Sequence, residues 1–270
     1  MLKESIKKYL ENYEDKSNII KIWYVKEYLQ THILKQIYSF DDTKNLIFYW
    51  WTSLRFLYNL NRLSEYLYFV SKDFNDYEKL ASFLVKYFEQ FNIKIDYKIQ
   101  KFRIILKFRN FLDDFDLSFW NSSDLYIKIE ISDYIDFCDN YEVKIIPVFK
   151  NNLSILIKTF DKNTLFSTKI NAVLHRKWEK KDWKNLLKIK WRDIYDLFWY
   201  LSNNFKPNID CIIWVKDIDD LKEKLKWIIN NISFLEVIWD IKNFLEDDEL
   251  LVFFESPDIK KFLLEKIDEL

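Results

Sequence analysis

Residues 46–70 read LIFYWWTSLRFLYNLNRLSEYLYFV, and the order of apolar and polar residues in them predicts the centre of the fold. The apolar run at 46–49 has the length of a short strand. The polar pair Thr52 and Ser53 is suited to cap a helix, and apolar residues then recur at helical spacing. A second apolar run at 67–70 predicts the next strand. The stretch therefore predicts a strand, a tight turn, a helix and a second strand.

This stretch resembles the opening motif of the AbiEii/AbiGii family of nucleotidyltransferase toxins. In that family an apolar strand leads into Gly-Gly-Thr-(Ala/Ser)-Leu, and Arg-x-Ser-x-Asp-Leu-Asp-Phe follows. The matching residues are Thr52, Ser53, Leu54, Arg62, Ser64, Glu65, Leu67 and Phe69. The resemblance implies nucleotide-binding roles for the residues of the turn and of the second half of the motif, namely Trp50, Trp51, Thr52, Ser53, Arg62 and Ser64.

Two pairs of residues depart from the family motif. Trp50 and Trp51 stand where the family has Gly-Gly, and an indole would fill a turn whose backbone must approach a triphosphate closely. Tyr66 and Tyr68 stand at the family's two metal-binding aspartates. A protonated phenol is a poor ligand for a hard divalent cation, so the Mg²⁺ that the family requires is doubtful here.

The sequence contains no glycine in 270 residues, whereas ordinary usage of about 7% would give roughly 19. Tryptophan occurs 11 times, often where a turn or a loop residue belongs. We hypothesise that most of these tryptophans are glycines in the natural protein, because some bacteria read the codon UGA as glycine. A protein that is truly rich in tryptophan is the alternative, and Trp199 on an apolar helical face fits it. Translation of UGA as tryptophan instead of glycine does not account for Tyr66 and Tyr68 at the aspartate positions.

The composition excludes several classes of protein. Hydrophobic residues make up 49% of the chain, which suffices for a packed core, and a net charge of −1 argues against a strongly basic nucleic-acid scaffold. No apolar run is long enough to cross a membrane, and the N-terminus lacks a secretory leader. Cys138 and Cys211 are far apart and belong to no motif, so we expect free thiols in the cytoplasm.

The remaining pattern predicts an α+β fold in two domains, with a boundary near residue 163. The resemblance implies a nucleotidyltransferase-like domain at 1–163, in which helices flank a small mixed sheet. Period-two alternation predicts two antiparallel strands within 92–109 and another strand at 125–131. Shorter strands are expected at 141–148 and 154–159. Residues 164–270 have a helical pattern and predict a C-terminal helical domain.

Two further candidate sites follow from the resemblance. Glu130, on the strand at 125–131, matches the third acidic residue of the family, although an exposed strand glutamate is an alternative. Lys169 and Arg176 match its Lys-x-x-Ala and Arg positions and lie two helical turns apart, within reach of a triphosphate. A solvated helix face is the alternative for Lys169. The lysine-rich loop at 177–190 suits either solubility or binding of nucleotide or RNA.

The opening stretch is the first motif of the resemblance, and the segment with Lys169 and Arg176 is the second. The third motif is Lys190-Trp191-Arg192-Asp193-Ile194-Tyr195-Asp196-Leu197, which resembles the family's Gly-Arg-Asp-hydrophobic-Tyr-Asp-Leu. Arg192 and Asp196 are one helical turn apart and are expected to pair. In the family context Asp193 is expected to act as a base or to orient the acceptor. A purely structural ion pair between Arg192 and Asp196 is the alternative.

The resemblance implies the toxin of a toxin–antitoxin or phage abortive-infection system. Such a protein transfers a nucleotide from NTP to an acceptor such as tRNA, depends on Mg²⁺ and has a cognate antitoxin. Loss of both metal carboxylates, at Tyr66 and Tyr68, favours instead an inactive relative that binds nucleotide, RNA or the antitoxin. A purely structural helical protein would leave three ordered motifs unexplained.

Overall fold

The structure is a computed structural model that describes residues 2–72, 74–119, 121–132, 138, 140–175, 191–246 and 248–270. The chain forms two compact units. The first comprises Met1–Ile135 and Lys144–Thr159, and the second comprises Asp136–Val143 and Phe160–Leu270. The expected mixed α/β fold with a mixed sheet is confirmed.

Seven strands form one sheet. They are β1 (Ile47–Phe48), β2 (Tyr66–Val70), β3 (Ile95–Gln100), β4 (Arg103–Phe108), β5 (Leu125–Ser132), β6 (Val143–Lys150) and β7 (Leu153–Phe160). Their order across the sheet is β3-β4-β5-β2-β1-β7-β6. Strand β2 runs parallel to β5, and β1 runs parallel to β7, whereas β3 with β4, β4 with β5 and β1 with β2 are antiparallel pairs. The short apolar runs of the opening stretch therefore become neighbouring central strands.

Strand β5 illustrates why one face of the sheet carries the core. Its sequence, LYIKIEIS, alternates strictly, and the isoleucines and Leu125 are buried while the residues between them are partly or fully exposed. The buried residues join a core that also includes apolar residues of the helices α2 (Asn18–Ser39) and α4 (Tyr77–Glu89). Lys128 and Glu130 consequently lie on the opposite face of the sheet.

The first unit contains two further helices, α1 (Leu2–Leu10) and α3 (Trp50–Tyr58). The expectation that Thr52 and Ser53 cap α3 is wrong, because the helix begins two residues earlier, at Trp50. Tyr49 holds the N-cap position and makes no side-chain capping bond. The hydroxyl of Thr52 instead contacts Ser64 and the carbonyl oxygen of Tyr66, which leaves it unavailable for capping.

The second unit is helical in the residues that the structure describes. Its helices are α5 (Lys162–His175), α6 (Trp191–Ser202), α7 (Ile218–Asn231), α8 (Phe234–Ile241), α9 (Asp248–Glu255) and α10 (Asp258–Asp268). Asp161 begins α5 by accepting hydrogen bonds from the backbone of Asn163 and Thr164. Across the described ranges, no helix combines the length and the apolar character needed to cross a membrane.

The two cysteines do not remain free thiols, so that expectation is wrong. Cys138 and Cys211 form a disulfide, and their Cα atoms lie 4.5 Å apart. They are separated by 73 positions in the sequence, and Asn140, two residues after Cys138, contacts Asn208 and Cys211. Neither spacing nor composition indicates such a contact.

Candidate functional site

The turn between β1 and α3 occupies the position of the family's glycine pair. Trp50 has a φ angle of 65°, which places it in the left-handed region that glycine adopts without steric cost. Its backbone therefore has the conformation that a Gly-Gly turn would provide, although the residue carries an indole. The backbone matches the sequence motif at this point, and the side chain does not.

An aromatic cluster fills the space beside this turn, and it consists of Tyr49, Trp50, Trp51, Tyr66 and Tyr68. The rings of Trp50 and Trp51 stack with centroids 4.9 Å apart. The ring of Tyr68 meets them edge to face at 4.9 Å and 4.7 Å. Tyr68 is buried, and its ring lies 5.5 Å from that of Tyr66. The positions expected to bind a triphosphate and a metal therefore hold packed rings.

The hydroxyl groups expected to bind phosphate are engaged within the protein. Oγ1 of Thr52 lies 2.5 Å from Oγ of Ser64 and also donates to the carbonyl oxygen of Tyr66. The hydroxyl of Ser53 donates to the carbonyl oxygen of Trp50. Because Thr52, Ser53 and Ser64 are all buried, these bonds tie the first turn of α3 to the start of β2.

Arg62 is also buried, with 1% of its surface exposed. Its guanidinium lies 5.6 Å from the ring centroid of Trp51, and it donates to the carbonyl oxygen of Leu63. The motif residue Arg62 thus holds the loop before β2 against the aromatic cluster. Its expected contact with a nucleotide remains a prediction.

A row of charged residues crosses the same face of the sheet as Tyr66 and Tyr68. The register pairs Tyr68 with Glu130 and Glu130 with Arg103, so the three side chains are neighbours across β2, β5 and β4. The guanidinium of Arg103 lies 2.6 Å from Oε2 of Glu130. Glu130 therefore stands beside the position of a family aspartate, and its carboxylate is engaged by a cation. Its role as the third acidic residue stays a prediction.

Two lysines that belong to no sequence motif have notable environments: Lys128 lies beside Tyr66, and Lys26 has a shifted pKa. Nζ of Lys128 lies 3.1 Å from the phenol oxygen of Tyr66, its register partner on β2, and 4.8 Å from the ring centroid. Burial lowers the pKa of Lys26, on α2, to about 8; repulsion from Lys128 adds to this and attraction by Glu65 opposes it. The alternation of β5 places Lys128 on this face, whereas nothing in the sequence singles out Lys26.

The residues present do not fit a hard divalent cation. Mg²⁺ prefers carboxylate and other oxygen ligands in octahedral geometry, and the two central positions supply phenols. The remaining carboxylate, Glu130, is paired with Arg103. Over the stretches of chain that the structure describes, no group of three or more histidine, cysteine or acidic side chains could hold a metal ion.

The second unit contains a buried charge cluster made by Lys169, Asp193 and Asp196. Nζ of Lys169 on α5 lies 2.6 Å from Oδ1 of Asp193 and 2.7 Å from Oδ2 of Asp196, both on α6. All three side chains are at most 2% exposed. The second and third sequence motifs therefore meet, and two carboxylates surround the ammonium group that was expected to reach a triphosphate.

Two other cationic side chains, Arg192 and Arg176, are candidates for the site, and the structure describes the first of them. Arg192 pairs with Asp240 of α8 at 3.6 Å and lies 4.7 Å from the ring centroid of Phe244. Asp196, its predicted partner, lies 2.7 Å from Nζ of Lys169. Pairing between Arg192 and Asp196 stays a prediction. Arg176 and the lysine-rich loop at 177–190 lie outside the described residues.

Three comparisons with known proteins bear on identity. A family model described as "Nucleotidyl transferase AbiEii toxin, Type IV TA system" matches residues 32–264. The chain belongs to the AbiEii family of nucleotidyltransferase toxins. The resemblance read from the three motifs is thereby confirmed. None of the curated proteins is similar enough to this AbiEii chain to count as a match.

Two solved structures from Helicobacter pylori are similar to this AbiEii chain. One is JHP933, and the other is a protein described provisionally as a nucleotidyltransferase. Each is 15% identical in sequence, with a TM-score of 0.46, and the alignment covers 88% of this chain. It covers 90% of JHP933 and 93% of the second protein.

The family's toxin–antitoxin system implies an antitoxin partner and a nucleotide substrate.

Proposed function

We propose that this AbiEii protein does not carry out metal-dependent nucleotidyl transfer and that it keeps the nucleotide binding that its family membership implies. The observation that carries the loss of transfer is the packing of Tyr66 and Tyr68 at the positions of the two metal carboxylates. In the family reaction the cation neutralises charge on the phosphates as it develops. A neutral phenol neither holds that cation nor replaces its charge.

The charge of the neighbouring groups supports the same conclusion. Glu130 is the remaining acidic residue of the predicted metal set, and Arg103 pairs with it at 2.6 Å. A cation entering here would have to displace a guanidinium from its carboxylate and would gain no second carboxylate. We therefore assign Glu130 a structural role within this chain.

The second proposed function is transfer of a nucleotide from NTP to an acceptor such as tRNA. Family membership favours it, as does the meeting of Lys169 with Asp193 and Asp196. Under this proposal Asp193 would act as a base or orient the acceptor. The buried state of all three side chains weighs against direct contact between Lys169 and a triphosphate.

A transfer assay distinguishes the two proposals. The full chain is incubated with each labelled NTP, total tRNA and Mg²⁺, and labelled RNA is separated on a denaturing gel. We expect no label on RNA with the chain as it stands. We expect transfer from a variant that combines Trp50→Gly, Trp51→Gly, Tyr66→Asp and Tyr68→Asp, because it restores both the turn and the metal ligands.

A matched control uses Tyr66→Asn and Tyr68→Asn together with the same two glycines. Asparagine has the shape of aspartate without its charge, so this control opens the aromatic cluster without creating a carboxylate pair. Label on RNA from the unaltered chain would overturn the first proposal. Equal transfer by the Asp and Asn variants would show that the carboxylates are not what the chain lacks.

We further propose that most tryptophans of this chain stand for glycine in the natural protein. Trp50 and Trp214 both have left-handed φ angles, 65° and 59°. Trp214 is also 80% exposed, and Trp239 and Trp227 are 71% and 57% exposed. A left-handed backbone is ordinary for glycine and uncommon for tryptophan, and high exposure is unusual for an indole. The codons of these residues test the proposal.

The proposal has three further parts. The protein acts in phage abortive infection, it acts in the cytoplasm, and an antitoxin binds this chain directly. Expression of the chain with and without the neighbouring gene, followed by growth and phage-plaque counts, tests them together. A chain that binds without turnover is expected to leave growth unchanged, whereas an active toxin would arrest it unless the neighbouring gene is present.

A further inference from the structure

The β6–β7 hairpin presents an exposed apolar face. Its strands are joined by a two-residue turn at 151–152, where both asparagines have left-handed φ angles. The amide of Asp161 donates to the carbonyl oxygen of Glu142, and together with the turn this bond fixes a register in which Pro147 faces Leu156. The exposed apolar side chains on this face are Ile145, Pro147, Phe149 and Leu156, of which Phe149 is 79% exposed.

The opposite face of the hairpin is anchored to the first unit. Val148 of β6 and Ile155 of β7 belong to the hydrophobic core. Nζ of Lys150 lies 2.5 Å from Oε1 of the buried residue Glu27 on α2. The exposed apolar side chains therefore project from a pair of strands that the core holds in place.

The free edge of β6 is unsuited to pairing with another strand. Strand β6 stands at one end of the sheet, and Pro147 lies in its middle. In this register the backbone nitrogen of Pro147 points away from β7, so the edge lacks an N–H group where an added strand would need one. A partner is therefore expected to pack on the apolar face rather than to extend the sheet.

The charges of the hairpin are positive. Residues 143–160 contain no acidic residue and three lysines, Lys144, Lys150 and Lys158. Lys158 lies on the same face as Leu156, two residues away on β7, and its Nζ atom contacts the neutral side chain of Asn45 at 3.5 Å. A surface that complements this face is therefore both apolar and acidic.

The helices α8 and α9 of the second unit present such a surface. Their sequences, FLEVIWDI and DELLVFFE, contain five acidic residues and no lysine or arginine. Leu235 on α8 and Val252 on α9 are 68% and 66% exposed. Glu236 and Glu255 are exposed as well, and no cation pairs with either of them within the described ranges.

The tryptophan of α8 adds to this surface but is not required for it. Trp239 lies one helical turn after Leu235 and is 71% exposed, and Nζ of Lys242 lies 3.9 Å from its ring centroid. Leu235 and Val252 are apolar and exposed whether residue 239 is tryptophan or glycine.

The opposite charges of the two surfaces decide how they pair. Two hairpins in contact would bring lysines together, and two copies of α8 would bring carboxylates together, so like charges oppose a contact of either surface with itself. We infer that the protein self-associates, with the β6–β7 hairpin of one copy packed on α8 and α9 of a second copy. The contact is heterologous, because it joins two different surfaces. It involves neither the aromatic cluster nor Lys169, so its test is separate from that of the proposed function.

Sedimentation equilibrium of the full chain over a wide range of concentrations measures the association. We expect an apparent mass that rises above that of the monomer with concentration and rises less at high salt. Phe149→Glu and Leu235→Lys each replace an exposed apolar side chain by a charge that the opposite surface repels. Each should weaken the association about tenfold or more, and circular dichroism establishes that each variant is folded.

An equimolar mixture of the two variants tests the heterologous contact. The Phe149→Glu chain keeps its α8 surface, and the Leu235→Lys chain keeps its hairpin, so one intact pair of surfaces is present in the mixture. We expect the mixture to associate although neither variant does so alone. A contact between two like surfaces would not return on mixing.

Phe102→Glu is the matched control. Phe102 is 40% exposed at the turn between β3 and β4, at the opposite end of the sheet. Its replacement adds the same charge to the same unit and should leave the association unchanged.

A chain that is monomeric at every concentration overturns the inference, and so does a mixture of the two variants that fails to associate. Equal effects of Phe102→Glu and Phe149→Glu indicate non-specific attraction and also overturn it. A monomeric chain that binds the product of the neighbouring gene, or single-stranded RNA, and loses this binding with Phe149→Glu assigns the hairpin to that partner and overturns self-association.

Discussion

Nζ of Lys169 lies 2.6 Å from Oδ1 of Asp193, and the two side chains are 0% and 2% exposed. Asp196 contacts the same ammonium group at 2.7 Å and is equally buried. Burial of charges is tolerated here because opposite charges and hydrogen bonds compensate the lost hydration. The arrangement joins α5 to α6 and makes the second unit sensitive to any change at Lys169.

Lys169→Met should therefore destabilise the protein strongly. It removes the ammonium group that two buried carboxylates contact, and removal of one partner from a buried ion pair typically costs about 3–5 kcal/mol. Urea unfolding followed by circular dichroism measures the loss. Lys261→Met is the control, since Lys261 is 77% exposed and pairs loosely with Glu265 at 3.9 Å.

The triple variant Lys169→Met, Asp193→Asn and Asp196→Asn tests the electrostatic explanation. It removes all three charges at nearly constant volume, so it should recover part of the stability that Lys169→Met loses. Coincident unfolding midpoints for Lys169→Met and the unaltered chain would show that the cluster is not a structural element.

Glu27 provides a prediction about pH. Burial alone would raise the pKa of this carboxyl, but attraction by Arg55 and Lys150 outweighs it and holds the pKa below its usual range. Nε of Arg55 lies 2.7 Å and Nζ of Lys150 2.5 Å from its oxygens. A carboxyl with a lowered pKa stabilises the fold above its unfolded pKa, which is about 4.3, and this contribution is lost as pH falls through the folded pKa.

Glu27→Gln should consequently destabilise the protein most at neutral pH, by about 3 kcal/mol, because two cations lose their common partner. The difference between variant and unaltered chain should shrink as pH falls from about 4.3 towards the lowered folded pKa, because the unfolded chain gains the proton first. Urea unfolding at about pH 7, 4 and 3 measures it. A difference that is the same at all three values would contradict the assignment.

The sequence predicts most of the elements because strict alternation and helical spacing report burial directly. The strands around Tyr68 and Glu130 appear where the pattern indicates, whereas the parallel pairing of β2 with β5 was not predicted from the sequence. The start of α3 at Trp50 is not predictable in the same way, since an indole in a left-handed turn contradicts every local preference.

Long-range contacts decide the features that a local pattern does not encode. The spacing of Arg192 and Asp196 allows a pair within one helix, and the structure brings Lys169 of another helix to the same carboxylate. The pairing of Cys138 with Cys211 depends on a contact across 73 positions. Only packing decides which of several charges or thiols meet, and no local pattern encodes that.

The disulfide gives a third prediction. Closing a loop of 73 residues should contribute about 4 kcal/mol through the entropy of the unfolded chain. Cys211→Ser should lower the stability of the non-reduced protein by roughly that amount. A thiol-reactive dye applied to the protein unfolded without reductant should label neither cysteine, and labelling of both would mean that the bond does not form.

The left-handed tryptophans give the last prediction. Trp214 has a φ angle of 59°, so Trp214→Gly should be more stable than Trp214→Ala by about 1 kcal/mol, because alanine retains the Cβ clash in this region. Both variants lose the ring contact with His175 equally, so the comparison isolates the backbone.

At Trp227, within α7, the order should reverse by about 1 kcal/mol, since glycine is a poor helix former. Thermal or urea unfolding of the four variants measures both differences in stability. The coding DNA is a separate test, and we expect UGA codons at positions 50 and 214. If Trp214→Ala is more stable than Trp214→Gly, or if these codons are UGG, the proposal that tryptophan stands for glycine is wrong.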